Sequence, residues 1–403
     1  MISVAWVTTT FPTMAAFIES DVRRLIERGA RVRVLTLGRR GTRFQPEHAV
    51  LLDHVEELGG PFAPASWAAL VGWLVRRPHV LIPEVVRMVW ASRGSLYALA
   101  GHLGYLPAAA RTAAIVEREG IGRVHGGWAH FPASVALLAA RLTGARFSMS
   151  AHAGADLYRT RAYLAQKVRA ADFVNACVRG NAAMLERLAG VPGRVHHIYH
   201  GVDLERFGGG ARTPDPAPLL LAVGRLAPAK GFDLAIRALA LLPAHDGPAP
   251  RLVLVGEGPE RARLQGLAEE LGVGSRVRFA GTLDHDALLP LYGRAWLLVA
   301  PSRVLASGRR DGIPNVVVEA MATGLPVVGT SATGIEEIVE AGISGWLVPP
   351  EDPQALAAAL GAALEQPARL AGMGAAARRR VAEAFDQRVN FERLYALMNG
   401  AAA

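Results

Sequence analysis

The chain has 403 residues, of which 51% are hydrophobic and 20% are charged, and its formal net charge is +9. This composition excludes a largely disordered chain, because disorder requires low hydrophobicity, and the length suffices for two hydrophobic cores. We expect no nucleic-acid partner, since the basic residues are mostly arginines scattered among helical patterns, without a Lys-rich tail or a reading motif.

The start of the chain has the pattern of a core strand. Residues 1–7 lack the basic n-region of a secretory signal peptide. The single cysteine, Cys177, excludes an internal disulfide and a cysteine-based zinc cluster, and its apolar setting predicts burial. Together these features predict a cytoplasmic protein.

Strand and helix patterns alternate through the first half. Residues 2–7 are apolar, 19–28 have helical spacing and 31–37 alternate as a strand, which predicts a β-α-β unit of a parallel sheet. Further strands are predicted at 122–125, 146–150, 172–178 and 195–199.

The intervening segment 59–114 carries no motif. Its apolar part at 94–110 falls short of the roughly 20 apolar residues that a membrane span needs. The stretch 67–90 mixes tryptophan with arginine, which is typical of an interfacial surface on a peripheral membrane protein. A helical core face with basic flanks is the competing interpretation.

Residues 208–218 combine three glycines with three prolines, a composition typical of a linker. We therefore predict an N-terminal lobe over 1–208, a linker at 209–218, a C-terminal lobe over 219–385, and a final helix over 386–403 that is a candidate to return to the first lobe. Strands of the second lobe are predicted at 219–223, 251–255, 276–280, 296–300, 326–329 and 345–348.

Ligands of open α/β sheets bind beyond the carboxyl ends of the strands, and the informative motifs follow strands. The strongest is Asp311-Gly-Ile-Pro-Asn-Val-Val-Val-Glu319. Pro314 favours the first turn of a helix, so that the stretch Ile313-Pro314-Asn315-Val316 would present backbone amides to an anion. The two flanking carboxylates could accept hydrogen bonds from a hexose and from a ribose.

Two more loops in this half predict phosphate contacts. Gly224, Arg225 and Lys230 follow one strand, and the two cations would stabilise the charge of a leaving diphosphate. The P-loop pattern G-x-x-x-x-G-K-[ST] is absent. After the next strand, Gly256-Glu-Gly258-Pro259 permits close backbone approach, although so short a pattern is equally typical of an ordinary turn.

Candidate residues of the first lobe are mostly histidines. His130 lies in Trp128-Ala-His-Phe-Pro132, His152 and Asp156 lie in Ser150-Ala-His-Ala-Gly-Ala-Asp156, and His200 starts the last motif before the linker. An isolated histidine is more often a structural hydrogen-bonding group, so these assignments depend on their context.

In this context the motifs resemble the retaining glycosyltransferase family 4, which has the GT-B fold of two Rossmann-like lobes facing across a cleft. The segment Asp311–Glu319 is similar to the Glu-x7-Glu signature of that family, with Asp311 in place of the first Glu. The motifs of the first lobe, together with Phe11-Pro-Thr13, resemble the exopolysaccharide and colanic-acid-type subgroup. The loop 8–14 replaces the Gly-Gly turn of many members.

The resemblance implies roles for individual residues. Asp311 would contact the donor sugar and Glu319 the ribose, while Arg225 and Lys230 would bind the phosphates and the loop at Gly256 would lie near the base. In the subgroup a histidine after the strand lies beside the donor sugar, a role implied for His152. Weaker acceptor-side roles are implied for His130, Asp156 and His200.

The expected function is a hexosyl transfer from a nucleotide-diphosphate sugar to a saccharide or lipid-linked acceptor, in exopolysaccharide or cell-envelope glycan synthesis. The resemblance implies retention of configuration without an enzyme nucleophile. We expect no cofactor and no metal, since basic residues and a helix end replace it. Contact with the inner face of the plasma membrane is a hypothesis. The alternatives are a nucleotide-sugar epimerase of the same fold and a non-catalytic nucleotide-sugar-binding scaffold.

Overall fold

A computed structural model describes residues 2–13, 17–42, 44–243, 247–332 and 334–400. They form two compact units, one made of the residues up to Ile198 together with those from Phe391 onward, and one spanning Tyr199–Asn390. The chain therefore leaves the first unit ten residues before the predicted boundary at 208, and the segment predicted as a linker, 209–218, lies inside the second unit.

The first unit contains a parallel sheet in the order β3-β2-β1-β4-β5-β6-β7. In register, Val4 of β1 lies between Val32 of β2 and Arg123 of β4. The direction of winding reverses between β1 and β4, so their carboxyl ends form a topological switch point. The strands are β1 (Ser3–Thr8), β2 (Arg31–Thr36), β3 (Val55–Glu57), β4 (Arg123–Gly126), β5 (Arg146–Ala151), β6 (Val174–Ala176) and β7 (Val195–His197).

Helices surround this sheet because both of its faces are apolar. Along β1, Val4 and Trp6 pack into one core and Ala5 and Val7 into another, as the alternation of a strand requires. The helices are α1 (Phe17–Glu27), α2 (Pro64–Arg76), α3 (Pro78–Ser92), α4 (Leu96–Gly104), α5 (Leu106–Glu119), α6 (Phe131–Thr143), α7 (Ala155–Tyr158), α8 (Leu164–Ala170) and α9 (Arg179–Ala189).

The motif-free segment 59–114 thus forms α2, α3, α4 and most of α5. Prolines lie at the first turns of α2, α3 and α5, where the missing amide proton costs no hydrogen bond. A 3-10 helix at Pro46–His54 precedes β3, which was not predicted because its sequence, Val-Glu-Glu, has no apolar run.

The second unit contains a parallel sheet in the order β10-β9-β8-β11-β12-β13, with a switch point between β8 and β11. All the strands predicted for this half are present, with ends displaced by a residue at most. They are β8 (Leu219–Val223), β9 (Arg251–Val255), β10 (Val277–Gly281), β11 (Leu297–Ala300), β12 (Val327–Thr330) and β13 (Gly345–Val348).

Alternate residues of β8 again enter two cores, Leu219 and Leu221 on one face and Leu220 and Ala222 on the other. The fold class predicted from the sequence, two Rossmann-like α/β lobes, is confirmed. Short 3-10 turns lie at Pro228–Lys230, Gly274–Arg276 and Ile335–Glu337. The helices are α10 (Leu204–Gly208), α11 (Phe232–Leu241), α12 (Arg261–Glu270), α13 (His285–Arg294), α14 (Asn315–Ala322), α15 (Pro353–Leu364) and α16 (Pro367–Ala384).

The last helix, α17 (Gln387–Asn399), starts in the second unit and continues in the first. Its apolar residues Phe391, Leu394 and Leu397 belong to the core that contains Val22 and Leu25 of α1. Within the described ranges, no helix has both the length and the apolar character needed to cross a bilayer.

His102, His125 and His152 are three of the buried histidines of the first unit. His125 of β4 has its Nδ1 2.9 Å from Ser148 Oγ and its Nε2 3.1 Å from Ser150 Oγ, both on β5. His102 lies between the hydroxyl oxygens of Ser92, at 2.8 Å, and Ser134, at 3.0 Å. Burial lowers the pKa of His125 well below its usual value and that of His102 to about 3, and it also lowers the pKa of His152.

These buried rings predict acid sensitivity. Because their folded-state pKa lies below the unfolded value of 6.5, the unfolded chain binds protons first as the pH falls. For His102, stability from the neutral ring is therefore present above pH 6.5 and is lost as the pH falls from there towards its folded-state pKa of about 3, by about 1.4 kcal/mol per pH unit. The other two rings act in the same direction.

Chemical unfolding measured at intervals from pH 8 to pH 5 would test this prediction. His102→Gln should reduce the slope of stability against pH, whereas the control His79→Gln, at an exposed position of α3, should leave it unchanged. If the wild type, His102→Gln and His79→Gln show the same slope of stability against pH, the buried neutral state of His102 would be contradicted.

Candidate active site

The loops after β8, β9 and β11 interlock through backbone hydrogen bonds. The amide of Leu226 donates to the carbonyl of Glu257, and the amide of Arg303 donates to the carbonyl of Ala229, both at 2.9 Å. Because β8 and β11 border the switch point, these loops form the edge of the sheet where a ligand is expected.

Glycines permit this contact. Gly256 has a φ of +135°, and a Cβ atom there would lie 1.9 Å from the carbonyl oxygen of Gly224. At Gly258, a Cβ would lie 2.2 Å from the carbonyl oxygen of Leu226. These glycines are therefore required by loop packing, while donor contacts at Gly256, Gly258 and the exposed Pro259 remain predictions.

Lys230 and Asp311 form an ion pair in this region. Lys230 Nζ lies 2.9 Å from Asp311 Oδ2. The angles at these two atoms are not those of a hydrogen bond, so the contact is an ion pair only. The lysine stem runs past Gly224, where an added Cβ would come within 3.2 Å of Lys230 Cε. Arg225 is exposed, and its side chain makes no hydrogen bond or ion pair with any other described residue. Its guanidinium is thus available to an anion.

Helix α14 begins one residue later than the sequence predicted. Asn315 is its first residue, and Pro314 is the N-cap, with φ −66° and ψ 127°. The extended backbone at Pro314 suits the N-cap, and no side chain caps the helix. The amides of the first turn and the positive end of the helix dipole therefore lie next to Ile313 and Pro314.

Glu319 lies inside α14 and is held by a second helix. The hydroxyl of Tyr292 on α13 donates a hydrogen bond of 2.9 Å to Glu319 Oε2, and His285 Nε2 lies 3.6 Å from Oε1. Burial, and then the charge of Glu319, raises the pKa of Tyr292 well above its usual value, so the phenol stays a donor. No sequence motif singled out Tyr292 or His285, because the pattern around them is that of an ordinary helix.

The loop after β12 packs beside the Asp311 loop, since the amide of Gly334 donates to the carbonyl of Gly312 at 3.2 Å. Thr333, which directly precedes Gly334, lies outside the described residues.

In the first unit, Asp156 joins the loops after β4 and β5. Its Oδ1 accepts from the amide of His130, at 3.0 Å, and lies 2.9 Å from His130 Nδ1, while its Oδ2 accepts from the amide of His152, at 2.8 Å. Burial raises the pKa of Asp156, but the hydrogen bonds and charge of His130, with those of His152, hold it below its usual value.

The ring of His152 has a defined tautomer. Its Nε2 lies 2.8 Å from the carbonyl oxygen of Gly127, so Nε2 carries the proton and Nδ1 the lone pair. Burial lowers the pKa of His152, an effect that Asp156 and the Gly127 carbonyl oppose without reversing. The ring packs at 4.6 Å against that of Trp128. His152 is therefore a neutral hydrogen-bond acceptor at physiological pH.

Lys167 of α8 supports this loop and was not predicted. Its buried ammonium donates to the carbonyls of Ala129 and His130, the latter at 2.7 Å, and to Ser134 Oγ at 3.1 Å. Burial lowers its pKa to about 7. His200, the remaining candidate, lies in the second unit, half-buried in the coil before α10.

Substituting Gly256 tests the loop packing. Gly256→Ala should destabilise the second unit by about 3 kcal/mol, because the positive φ and the clash with Gly224 act together. Gly266→Ala is the matched control: it lies exposed in α12 with open space around it and should stabilise the fold by about 1 kcal/mol. Equal effects in thermal unfolding would contradict the contact.

Removing the buried ammonium tests the support of the β4 loop. Lys167→Met leaves the carbonyls of Ala129 and His130 without this donor, which should cost about 1–3 kcal/mol. Arg161→Met, an exposed cation of the same unit, should change stability by less than about 0.5 kcal/mol. Denaturant titration measures both, and a loss no larger for Lys167→Met would refute the role.

Two family models match successive parts of the chain, and both describe glycosyltransferases. The family described as Glycosyltransferase Family 4 matches residues 15–206, and Glycosyl transferases group 1 matches residues 209–380. A D-inositol 3-phosphate glycosyltransferase of Streptomyces scabiei is 30% identical in an alignment of 401 residues, gaps included, that covers 90% of this chain and 81% of the relative.

Two further similarities concern the colanic-acid-type subgroup and the fold. The putative colanic acid biosynthesis glycosyltransferase WcaL of Salmonella typhimurium is 37% identical over 180 residues, 44% of each chain. The structure of Anabaena HepE in complex with UDP has a TM-score of 0.75 at 18% identity, covering 99% of this chain and 100% of that one.

The matches to WcaL and to several other curated relatives span only about half of the relatives' lengths. The match to the Streptomyces protein, by contrast, extends over most of both chains. The resemblance found in the motifs is confirmed: the chain belongs to glycosyltransferase family 4, and residues 209–380 form its group 1 glycosyl transferase domain.

Proposed function

We propose that the protein is a hexosyltransferase that moves a hexose from a nucleoside-diphosphate sugar to a saccharide or lipid-linked acceptor. The observation that carries the proposal is the pairing of Lys230 with Asp311 beside the exposed Arg225, at the carboxyl edge of the second sheet. The colanic acid role in the name of WcaL favours exopolysaccharide or cell-envelope glycan synthesis as the setting.

The diphosphate of the donor would bind to Arg225, Lys230 and the amides at the start of α14. Before the donor binds, Asp311 is the counter-ion of Lys230. A diphosphate would compete for the ammonium and release the Asp311 carboxylate, which could then accept hydrogen bonds from the hexose. The two cations would stabilise the charge that develops on the leaving nucleoside diphosphate.

The ribose would bind to Glu319. Tyr292 holds Oε2 of this carboxylate, which fixes its orientation and leaves Oε1 to accept from a ribose hydroxyl. The neutral ring of His152 would lie beside the donor sugar, as the family resemblance implies. As in the family, we propose transfer with retention and without an enzyme nucleophile, cofactor or metal, because two cations and a helix end would neutralise the phosphates.

The named relatives are glycosyltransferases, which favours transfer over the alternatives of an epimerase or a non-catalytic scaffold. For the acceptor side we propose that His130, Asp156 and His200 contribute. We also propose that the protein works in the cytoplasm and touches the inner face of the plasma membrane, since tryptophan and arginine are concentrated in residues 67–90.

A donor screen tests the proposed function. The purified protein is incubated with UDP-, GDP-, ADP- and dTDP-hexoses, and the release of nucleoside diphosphate is measured. Arg225→Ala and Lys230→Ala should each lower release from the preferred donor by about 100-fold, as for other groups that stabilise transition-state charge. Arg237→Ala, an exposed cation of α11, is the matched control and should have no effect.

Carboxylate and histidine variants complete the test. Asp311→Ala, Glu319→Ala and His152→Ala should abolish most of the release, whereas Asp311→Glu, which restores the family's residue, should stay within about tenfold of the wild type. If no donor is hydrolysed and calorimetry detects no binding of any nucleotide sugar, the proposed function is wrong.

A further inference from the structure

Helices α2 and α3 expose two apolar stripes. On α2 the exposed residues Trp67, Val71, Leu74 and Val75 recur with the spacing of one helix face, and Val75 is 76% exposed. Trp73 and Ser66 point the other way and are buried, because this face of α2 packs on α5.

Helix α3 repeats the arrangement. Ile82, Val86, Val89 and Trp90 have the same spacing and are exposed, with Trp90 at 68%. Its opposite face, which contains the buried Leu81 and Met88, packs towards α4 and α6. Soluble proteins rarely expose so many large apolar side chains together, and such patches mark a surface that another partner covers.

The charge on this surface has one sign. Between Leu58 and Val116 the sequence has a single acidic residue, Glu84. Its carboxylate is fully buried and pairs with Arg87, at 2.8 Å, and with Arg141. Arg76 pairs with Glu117 at 2.8 Å. Arg77 and Arg93 are exposed and have no acidic partner among the residues that the structure describes.

Tryptophan and arginine combine at one edge of the surface. The guanidinium of Arg93 lies over the ring of Trp90, with Cζ 4.1 Å from the ring centroid. Such a pair has an apolar face and a cationic edge, which suits the boundary between lipid headgroups and acyl chains.

We propose that the exposed face of α2 and α3 docks the protein on an anionic lipid bilayer. The stripes would enter the boundary between headgroups and acyl chains, while Arg77 and Arg93 would bind lipid phosphates. The proposal rests on the membrane contact in the proposed function and names the residues that make it. It can be tested separately from the transferase activity.

Charge favours a bilayer over a second copy of the chain. A symmetric dimer through this face would bring Arg77, Arg87 and Arg93 of both copies into one interface, to which α2 and α3 contribute no carboxylate except that of the buried Glu84. Like charges in such an interface repel, whereas the phosphates of anionic lipids complement them.

Vesicle binding tests the docking surface. The full chain is floated with vesicles of phosphatidylglycerol and phosphatidylcholine in equal parts, and with vesicles of phosphatidylcholine alone. We expect binding to the anionic vesicles that weakens with added salt. Arg77→Glu and Arg93→Glu should each lower the partition coefficient by at least about fivefold, whereas Arg161→Glu and Arg187→Glu, exposed elsewhere on the unit, should not.

The apolar stripes have their own variants. Val75→Ser with Trp90→Ser should lower the partition coefficient by at least about tenfold, while Val50→Ser, at an equally exposed position outside the stripes, should not. All variants should keep the melting temperature of the wild type and its nucleotide release without vesicles, which separates this test from that of the proposed function.

Absence of wild-type binding to anionic vesicles at low salt would overturn the proposal. So would stripe and arginine variants that bind like the wild type. A dimer seen by light scattering and lost in the same variants would assign the surface to a second copy instead.

Discussion

In the second unit, backbone hydrogen bonds join the loops after β8 and β9, and the arrangement of the site follows from that contact. The Cβ atom of any other residue at position 256 would clash with the carbonyl oxygen of Gly224. The absence of a side chain at Gly224 in turn leaves the path along which Lys230 reaches Asp311. The position of the cation thus depends on two glycines that carry no chemistry of their own, and the ion pair is the product of loop packing.

The first unit has the same kind of sheet but joins its loops differently. There a buried carboxylate, Asp156, accepts the amides of His130 and His152, and a buried ammonium, Lys167, holds the carbonyls of the β4 loop. Both buried charges are satisfied by backbone groups of these loops, because a buried charge would be costly to leave unpaired. The tautomer of His152 follows from this arrangement, since the Gly127 carbonyl belongs to the same loop.

The sequence predicted what depends on local patterns. Central parallel strands are largely apolar, so most of them could be located, but the edge strand β3 contains two glutamates and has no apolar run. Motifs indicated Lys230 and Asp311 separately, whereas their pairing depends on the fold. Lys167 and Tyr292 could not be predicted because their partners, backbone carbonyls and Glu319, lie far away along the chain. The exposure of α2 and α3 could not be separated from a core face without knowing what packs on them.

The return of the chain to the first unit has a consequence for synthesis. A ribosome completes Tyr199–Asn390 before it makes the larger part of α17, whose Phe391, Leu394 and Leu397 belong to the core of the first unit. While the second unit is emerging, the apolar side of α1 therefore lacks part of its cover. The unit that is started first is the one that is finished last, and its core closes only when the final turn of α17 has been made.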